Sequence, residues 1–75
     1  MVDPGDTFEH GEYGPIEVLA VRTVMDRVIS DGALTKTRVV DFDAGYDPTA
    51  TERGAPSAVE TEALDAFLDN VTARD

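Results

Sequence analysis

Apolar and polar residues alternate along the middle of the chain in a pattern that predicts a long β-hairpin. Residues 16–30 are dense in valine, isoleucine and threonine, which favour extended structure, and the alternation slips near Thr23, where we expect a break or bulge. Asp31 and Gly32 form a dipeptide that strongly favours a hairpin turn. Residues 34–42 follow as a second strand.

Residues 16–30 also fit an amphipathic helix, so this segment has two competing interpretations. Pro15 suits the first position of a helix and Gly32 would end it. At 100° per residue, the apolar side chains that gather on one side are Val18, Val21, Val24, Met25, Val28 and Ile29. We favour the hairpin, with the helix as the alternative.

Shorter elements are expected before and after the hairpin. Residues 1–6 predict a flexible lead-in, and residues 7–10 predict a short strand with Phe8 and His10 on one face. Residues 44–56 are rich in Gly, Pro, Asp and Thr, which predicts a long exposed loop.

The C-terminal segment predicts a helix. Its apolar residues follow the spacing i, i+3, i+4 and i+7, and they are Leu64, Phe67, Leu68 and Val71. We expect this helix at about residues 59–72 and a tail at 73–75, although Ala58 and Val59 also fit a short closing strand. The expected fold class is therefore α+β: one small domain, residues 7–72, with a bent antiparallel sheet of three to five strands and a C-terminal helix.

The charge of the chain is strongly unbalanced. Sixteen Asp and Glu stand against six Lys and Arg, which gives a formal net charge of −10 over 75 residues. Because 41% of the residues are hydrophobic and fall in patterned runs, this is not the composition of a disordered acidic tail. Salt relieves such self-repulsion, since the Debye length falls to about 3 Å near 1 M. We therefore predict a halophilic protein of a salt-rich cytoplasm.

Composition also argues against several classes of site. The chain has no cysteine and one histidine, so disulfides are absent and a structural zinc site is disfavoured. No apolar run approaches the roughly 20 residues of a membrane span, and the first residues do not have the pattern of a signal peptide. We expect no cofactor, no membrane association and a cytoplasmic location, with self-association as one way to supplement a small core.

Two segments resemble parts of a known barrel family. Residues 5–18, Gly-Asp-Thr-Phe-Glu-His-Gly-Glu-Tyr-Gly-Pro-Ile-Glu-Val, resemble the opening of small Tudor- or SH3-like β-barrels, as found at the C-terminus of UvrD/PcrA-type helicases and in CarD-like transcription factors. Residues 37–45 resemble the third strand of such barrels and its Phe-Asp-x-Gly exit. The chain departs from the pattern at Pro15 and Ile16, where a second glycine is usual, and it has no well-marked fourth strand after residue 45.

The resemblance implies a partly open SH3-like barrel that docks onto a protein such as RNA polymerase, sometimes with nucleic acid nearby, and no catalysis. We therefore predict a non-enzymatic protein-interaction module, accessory to transcription or DNA repair. The residues predicted to contact the partner are Tyr13, Arg22, Arg27, Arg38 and Tyr46.

Two alternative functions use other chemistry. A nucleic-acid-binding module would use Arg22, Arg27, Lys36 and Arg38 as a basic strip, although cross-strand pairing with acidic residues is the simpler role for these cations. A weak divalent-cation site would use Asp41, Asp43 and Asp47. Their spacing approaches that of a calcium loop, but tyrosine stands where that loop needs glycine, so a solvated acidic face is favoured and no metal is assigned.

His10 is the one side chain with an ordinary pKa near neutrality, which makes it the first residue to examine for acid–base chemistry. No nucleophile or metal ligand is specified near it, so we expect its imidazole to bond a backbone group beside Tyr13. The sequence contains no phosphate loop, nucleophile elbow or redox motif. An enzyme is the least expected class.

Overall fold

The computed structural model describes residues 2–27, 32, 34–50 and 54–73. It contains five strands and one helix, in the order β1 (Thr7–His10), β2 (Gly14–Arg27), β3 (Leu34–Asp43), β4 (Val59–Ala63), α1 (Leu64–Asn70) and β5 (Val71–Ala73). The strands form one open antiparallel sheet with the spatial order β4-β3-β2-β1-β5. The predicted α+β class, with a small antiparallel sheet and a helix near the C-terminus, is confirmed.

The valine-rich middle of the chain is extended, so the helical alternative is wrong for the described residues of 16–30. β2 and β3 pair from Glu17 opposite Asp43 to Arg27 opposite Leu34. Gly32 lies in the connection and has a φ of 72°, a left-handed value that favours glycine. Residues 28–31 and 33 lie outside the described part, and with them Asp31 of the predicted turn dipeptide.

The bulge in β2 lies earlier than predicted. The register shifts between Val18 and Ala20, whereas the sequence had suggested Thr23. One extra residue at this point lets Val18 and Val21 both face the core, although their spacing of three would otherwise put them on opposite faces.

The helix is shorter than the predicted range of residues 59–72. Both flanks of α1 pair with the sheet: β4 with β3, and β5 with β1. Helical spacing in a sequence does not reveal that a sheet edge is available on either side. Thr61, in β4, donates its hydroxyl to Asp41 at 2.6 Å, and the helix begins after Ala63 without a side-chain cap. No helix in the described residues is long and apolar enough to cross a membrane.

The connection through α1 forces the sheet to curl. Seven helical residues span about 10 Å, and they join β4 directly to β5, the two edge strands. In a flat sheet of five strands those edges would lie about 19 Å apart. The sheet must therefore bend strongly enough to bring its edges toward each other.

The core lies on the inner side of this curl. Its fully buried side chains are Ile16, Val18, Val40, Phe42 and Phe67. The Phe67 ring, from the helix, has its centroid 5.4 Å from that of Phe42 and 5.6 Å from that of Phe8 in an edge-to-face contact. Contacts between aromatic rings stabilise a fold beyond the contribution of the apolar area that the rings bury. Phe67 is therefore the main link between the helix and the sheet.

The N-terminal segment, predicted as a flexible lead-in, forms backbone hydrogen bonds with β2 and contacts the core. Gly5 donates its N–H to the Val18 carbonyl, and Val18 donates its N–H to the Asp6 carbonyl, both at 2.8 Å. Val2 packs against the core. Between β3 and β4, the described residues of 44–58 form turns and irregular structure without a strand or helix.

The far half of the β2–β3 ladder projects from the body. β1 pairs with β2 only up to Glu17, and β4 pairs with β3 only from Val39 onward. Residues 20–27 and 34–38 thus form a two-stranded extension, here called the hairpin arm, with which no other described strand pairs. The radius of gyration is 14.2 Å, against about 11 Å for a compact domain of this length, and the longest dimension is 50 Å.

Replacing Phe67 should remove the link between helix and sheet. Phe67→Ala is expected to lower the free energy of unfolding by about 3–5 kcal/mol, because a large buried ring is lost and a cavity remains. Urea denaturation followed by circular dichroism measures this. Asp69→Ala on the exposed side of α1 is the control and should stay within about 0.5 kcal/mol of wild type. A similar small effect for Phe67→Ala would contradict the assigned role.

Candidate protein-interaction surface

Alternation gives the hairpin arm two different faces. Val40 is buried in the core, so Arg38 and Lys36, two and four residues before it on β3, continue the same face outward. Thr23 and Met25 lie opposite these two cations in the register and share that face. We call it the inner face; among the residues whose side chains are described, it comprises Val21, Thr23, Met25, Leu34, Lys36 and Arg38.

The arm exposes large apolar side chains. Met25 is 55% exposed and Leu34 is 59% exposed on the inner face, and Val24 on the opposite, outer face is 39% exposed. Single exposed apolar residues are normal, but a group of them on one projecting element marks a surface suited to contact.

A groove opens where the inner face meets the body. It has a volume of about 300 Å³ and is lined by Val2, Val21, Arg38, Leu64 and Leu68. The sequence had placed Leu64, Phe67 and Leu68 in one apolar stripe, but only Phe67 is fully buried and Leu68 is 50% exposed. No signal in the sequence separates Leu68 from Phe67, because a stripe at helical spacing does not show how much of it the sheet covers.

Arg22 lies on the outer face and is held by Asp41. Its Nε and Nη2 donate to the two carboxylate oxygens of Asp41 at 2.6 and 2.9 Å. The hydrogen bond to Asp41 is the main reason that the pKa of Arg22 is raised, and the hydrogen bonds from Arg22 and then Thr61 lower the pKa of Asp41. The predicted basic strip is therefore divided, with Arg22 on one face and Lys36 and Arg38 on the other.

Lys36 and Arg38 differ from Arg22 in their surroundings. Among the described residues, the ion pairs are His10 with Glu62 and Arg22 with Asp41, so neither inner-face cation has a carboxylate within 4 Å. Asp65 of α1 lines a second cavity of about 270 Å³ together with both cations. Arg27 lies opposite Leu34 in the register, and its side chain is outside the described part.

His10 has a structural role, as the sequence suggested. Its ring is buried, Nδ1 accepts the backbone N–H of Glu12 at 3.0 Å, and Nε2 lies 2.9 Å from a carboxylate oxygen of Glu62. An accepting Nδ1 places the ring proton on Nε2, which donates to Glu62. The ring also stacks on Phe42 with centroids 5.4 Å apart.

Tyr13 and Tyr46 lie away from the inner-face cations. Tyr13 is 37% exposed and packs on His10 and Phe42. Its pKa is raised, first by desolvation and then by the carboxylates of Glu12, Glu60 and Glu62. Phe42, on which Tyr13 packs, lies four residues, or about 13 Å along β3, from Arg38. Tyr46 is partly buried and lines an acidic pocket of about 180 Å³ at the other end of β3. Of the predicted contact residues, Arg22 and Arg38 thus lie on opposite faces of the arm, and the side chain of Arg27 is outside the described part.

The three aspartates considered for a cation are engaged by protein donors. Asp43 accepts the N–H groups of Gly45 and Ala58 at 2.9 and 3.2 Å. Asp47 accepts the hydroxyl and the N–H of Thr49, which lowers its pKa, and Asp41 holds Arg22 and Thr61. Over the part of the chain that the structure describes, no group of three or more His, Cys, Asp or Glu is arranged to hold a metal ion.

Comparison with known proteins adds no relative. No family model matches this chain, and neither a curated protein nor a solved structure matches it significantly. Function therefore has to be inferred from the surface itself.

The pair of Asp41 and Arg22 should give the stability a specific pH dependence. The pKa of Asp41 is lowered below 3.8, so its contribution is present above that unfolded-state value and is lost as the pH falls through the folded-state pKa. Asp41→Asn should therefore destabilise the fold at about pH 7, and its gap from wild type should shrink below about pH 4.

Urea denaturation of wild type and Asp41→Asn across this pH range measures the gap. Asp69→Asn is the control, since it removes an exposed carboxylate that makes no ion pair or side-chain hydrogen bond with the described residues. A gap for Asp41→Asn that stays constant down to the lowest pH would show that its carboxylate charge is not what stabilises the fold.

Proposed function

We propose that this chain is a non-enzymatic protein-interaction module, and that it contacts its partner through the hairpin arm and the groove at the base of the arm. The observation that carries the proposal is the arm itself: a two-stranded extension with exposed Met25 and Leu34, beyond the pairing of β1 and β4. Covering such side chains releases apolar surface from water, at about 25 cal/mol per Å².

The state of His10 supports a non-catalytic role. Both of its ring nitrogens have partners within the fold, and its ring is buried between aromatic neighbours. A general base has to reach a substrate proton, and this imidazole faces the interior of the domain.

The topology supports kinship with SH3-like barrels. Four antiparallel strands follow one another, the fifth pairs with the first, and a short helix joins the two edges. This is what a partly open barrel of that type requires, and the resemblance of residues 5–18 and 37–45 points the same way. On this basis the module serves as an accessory to transcription or DNA repair in a salt-rich cytoplasm.

Nucleic-acid binding through the four cations receives less support. Arg22 is committed to Asp41 on the outer face, which leaves Lys36 and Arg38 as adjacent described cations on a chain of net charge −10. Phosphate binding draws its affinity from several neutralised contacts, and two cations offer few.

Cross-linking from the arm tests the proposed contact surface. A photoreactive benzoylphenylalanine in place of Met25 should give a discrete covalent adduct with a protein when extract of the source cells is irradiated in molar KCl. The same residue in place of Thr49, which lies in the loop after β3, is the control and should not give that adduct. Adding Leu34→Ser to the Met25 variant should weaken the adduct. The proposal fails if Met25 and Thr49 give the same products.

The proposed salt-rich setting predicts a salt-dependent stability. Raising KCl from about 0.1 M to about 2 M should raise Tm, because screening removes repulsion among the acidic side chains. Glu60→Gln should reduce this rise, since Glu60 lies in the cluster of carboxylates that surrounds Tyr13. Thermal melts by circular dichroism decide the matter, and a Tm that does not change with KCl would be evidence against salt adaptation.

A further inference from the structure

We infer that the groove at the base of the hairpin arm binds an acidic segment of a partner protein. An apolar side chain of that segment enters between Leu64 and Leu68, and neighbouring carboxylates meet Arg38 and Lys36. The inference rests on the proposed function, because it takes the arm and its groove as the contact surface, and it adds the chemistry of the partner.

The volume of the groove limits the size of the apolar side chain that the partner segment can insert. Val2, Val21, Leu64 and Leu68 supply apolar walls around about 300 Å³. Because a water molecule occupies about 30 Å³ of the liquid, this volume accommodates a leucine or phenylalanine side chain. Leu68 is half exposed, so an inserted side chain would cover the part of Leu68 that the sheet does not cover.

The charge of the groove selects the flanking residues of the partner. Lys36 and Arg38 are two residues apart on one face of β3, and the residues opposite them on β2 are the uncharged Met25 and Thr23. No described carboxylate lies within 4 Å of either cation, and the nearby acidic group that lines the adjoining cavity is Asp65. On a body with sixteen acidic residues, a carboxylate-rich segment finds its complement here and is repelled elsewhere.

A second copy of the chain fits the groove less well. Placing two inner faces against each other would put Lys36 and Arg38 of both copies in one interface, where like charges repel. Each copy also has a net charge of −10, which opposes association. Charge therefore favours an acidic partner segment over self-association.

A short synthetic peptide tests this chemistry directly. The probe is a fluorescein-labelled nonapeptide with one leucine flanked on both sides by glutamates, and fluorescence anisotropy in about 0.5 M KCl measures its binding. It should bind wild type, whereas peptides with leucine replaced by serine, or with glutamates replaced by lysines, should not. Arg38→Gln should weaken binding about tenfold, as expected for the loss of a hydrogen bond to a charged group. That loss should shrink as KCl rises toward about 2 M.

The matched control separates the site from overall charge. Arg38→Gln and Ala50→Glu both change the net charge from −10 to −11, but Ala50 lies in the exposed loop after β3. Leu68→Ser should also weaken binding while retaining the circular dichroism spectrum of wild type. In amide NMR spectra, the peptide should shift the signals of Val21, Arg38 and Leu68 rather than those of the turn at Gly11.

The outcomes distinguish the inference from the function on which it rests. Equal losses for Arg38→Gln and Ala50→Glu, or no binding of the peptide by wild type, overturn the acidic-segment inference. Sedimentation that shows a dimer whose formation Leu68→Ser abolishes would overturn it in favour of a second copy. If the Met25 cross-link still captures a protein while the peptide does not bind, the interaction module stands and only the chemistry assigned to its partner is wrong.

Discussion

The β2–β3 ladder is much longer than the elements that cover it, and the architecture follows from this mismatch. β2 has 14 residues and β3 has 10, but β1 has four, β4 has five and α1 has seven. Among the described residues, the core contains five fully buried apolar side chains, and they lie under the first half of the ladder. The second half must be an arm. Because an isolated two-stranded hairpin is marginal in water, the arm depends on the body for its order.

The bulge lies at the boundary between the covered and the uncovered halves. It lets Val18 and Val21 both face the core, and bulges of this kind also increase the local twist of a strand. β1 pairs with β2 only up to Glu17. At Val18 the N-terminal segment replaces β1 as the neighbour of β2, through the backbone hydrogen bonds of Gly5 and Asp6 with Val18. The N-terminal segment therefore takes part in fixing the base of the arm.

Alternation and turn chemistry were enough to predict the hairpin, the first strand and one C-terminal helix, because these depend on local patterns. The sequence did not place the bulge, and this error misplaced Arg22. Continuing the alternation from Ile16 and Val18 would put Arg22 on the inner face beside Arg38, whereas the shift after Val18 turns it outward to Asp41. Likewise, β4 is a strand because the edge of β3 is free to pair with it, and the groove exists because the sheet covers Phe67 but not Leu68. Both depend on contacts that are distant in sequence.

The two faces of the same strands consequently have opposite characters. On the outer face, Asp41 joins Arg22 of β2 to Thr61 of β4, so the side chains of three neighbouring strands satisfy one another. On the inner face, Arg38 and Lys36 stand beside apolar side chains and have no such partner among the described residues. The chain has sixteen acidic and six basic residues, so its carboxylates far outnumber its cations. Because no described carboxylate lies within 4 Å of Lys36 or Arg38, an acidic partner segment of the kind proposed would supply on the inner face the counter-charge that Asp41 supplies on the outer face.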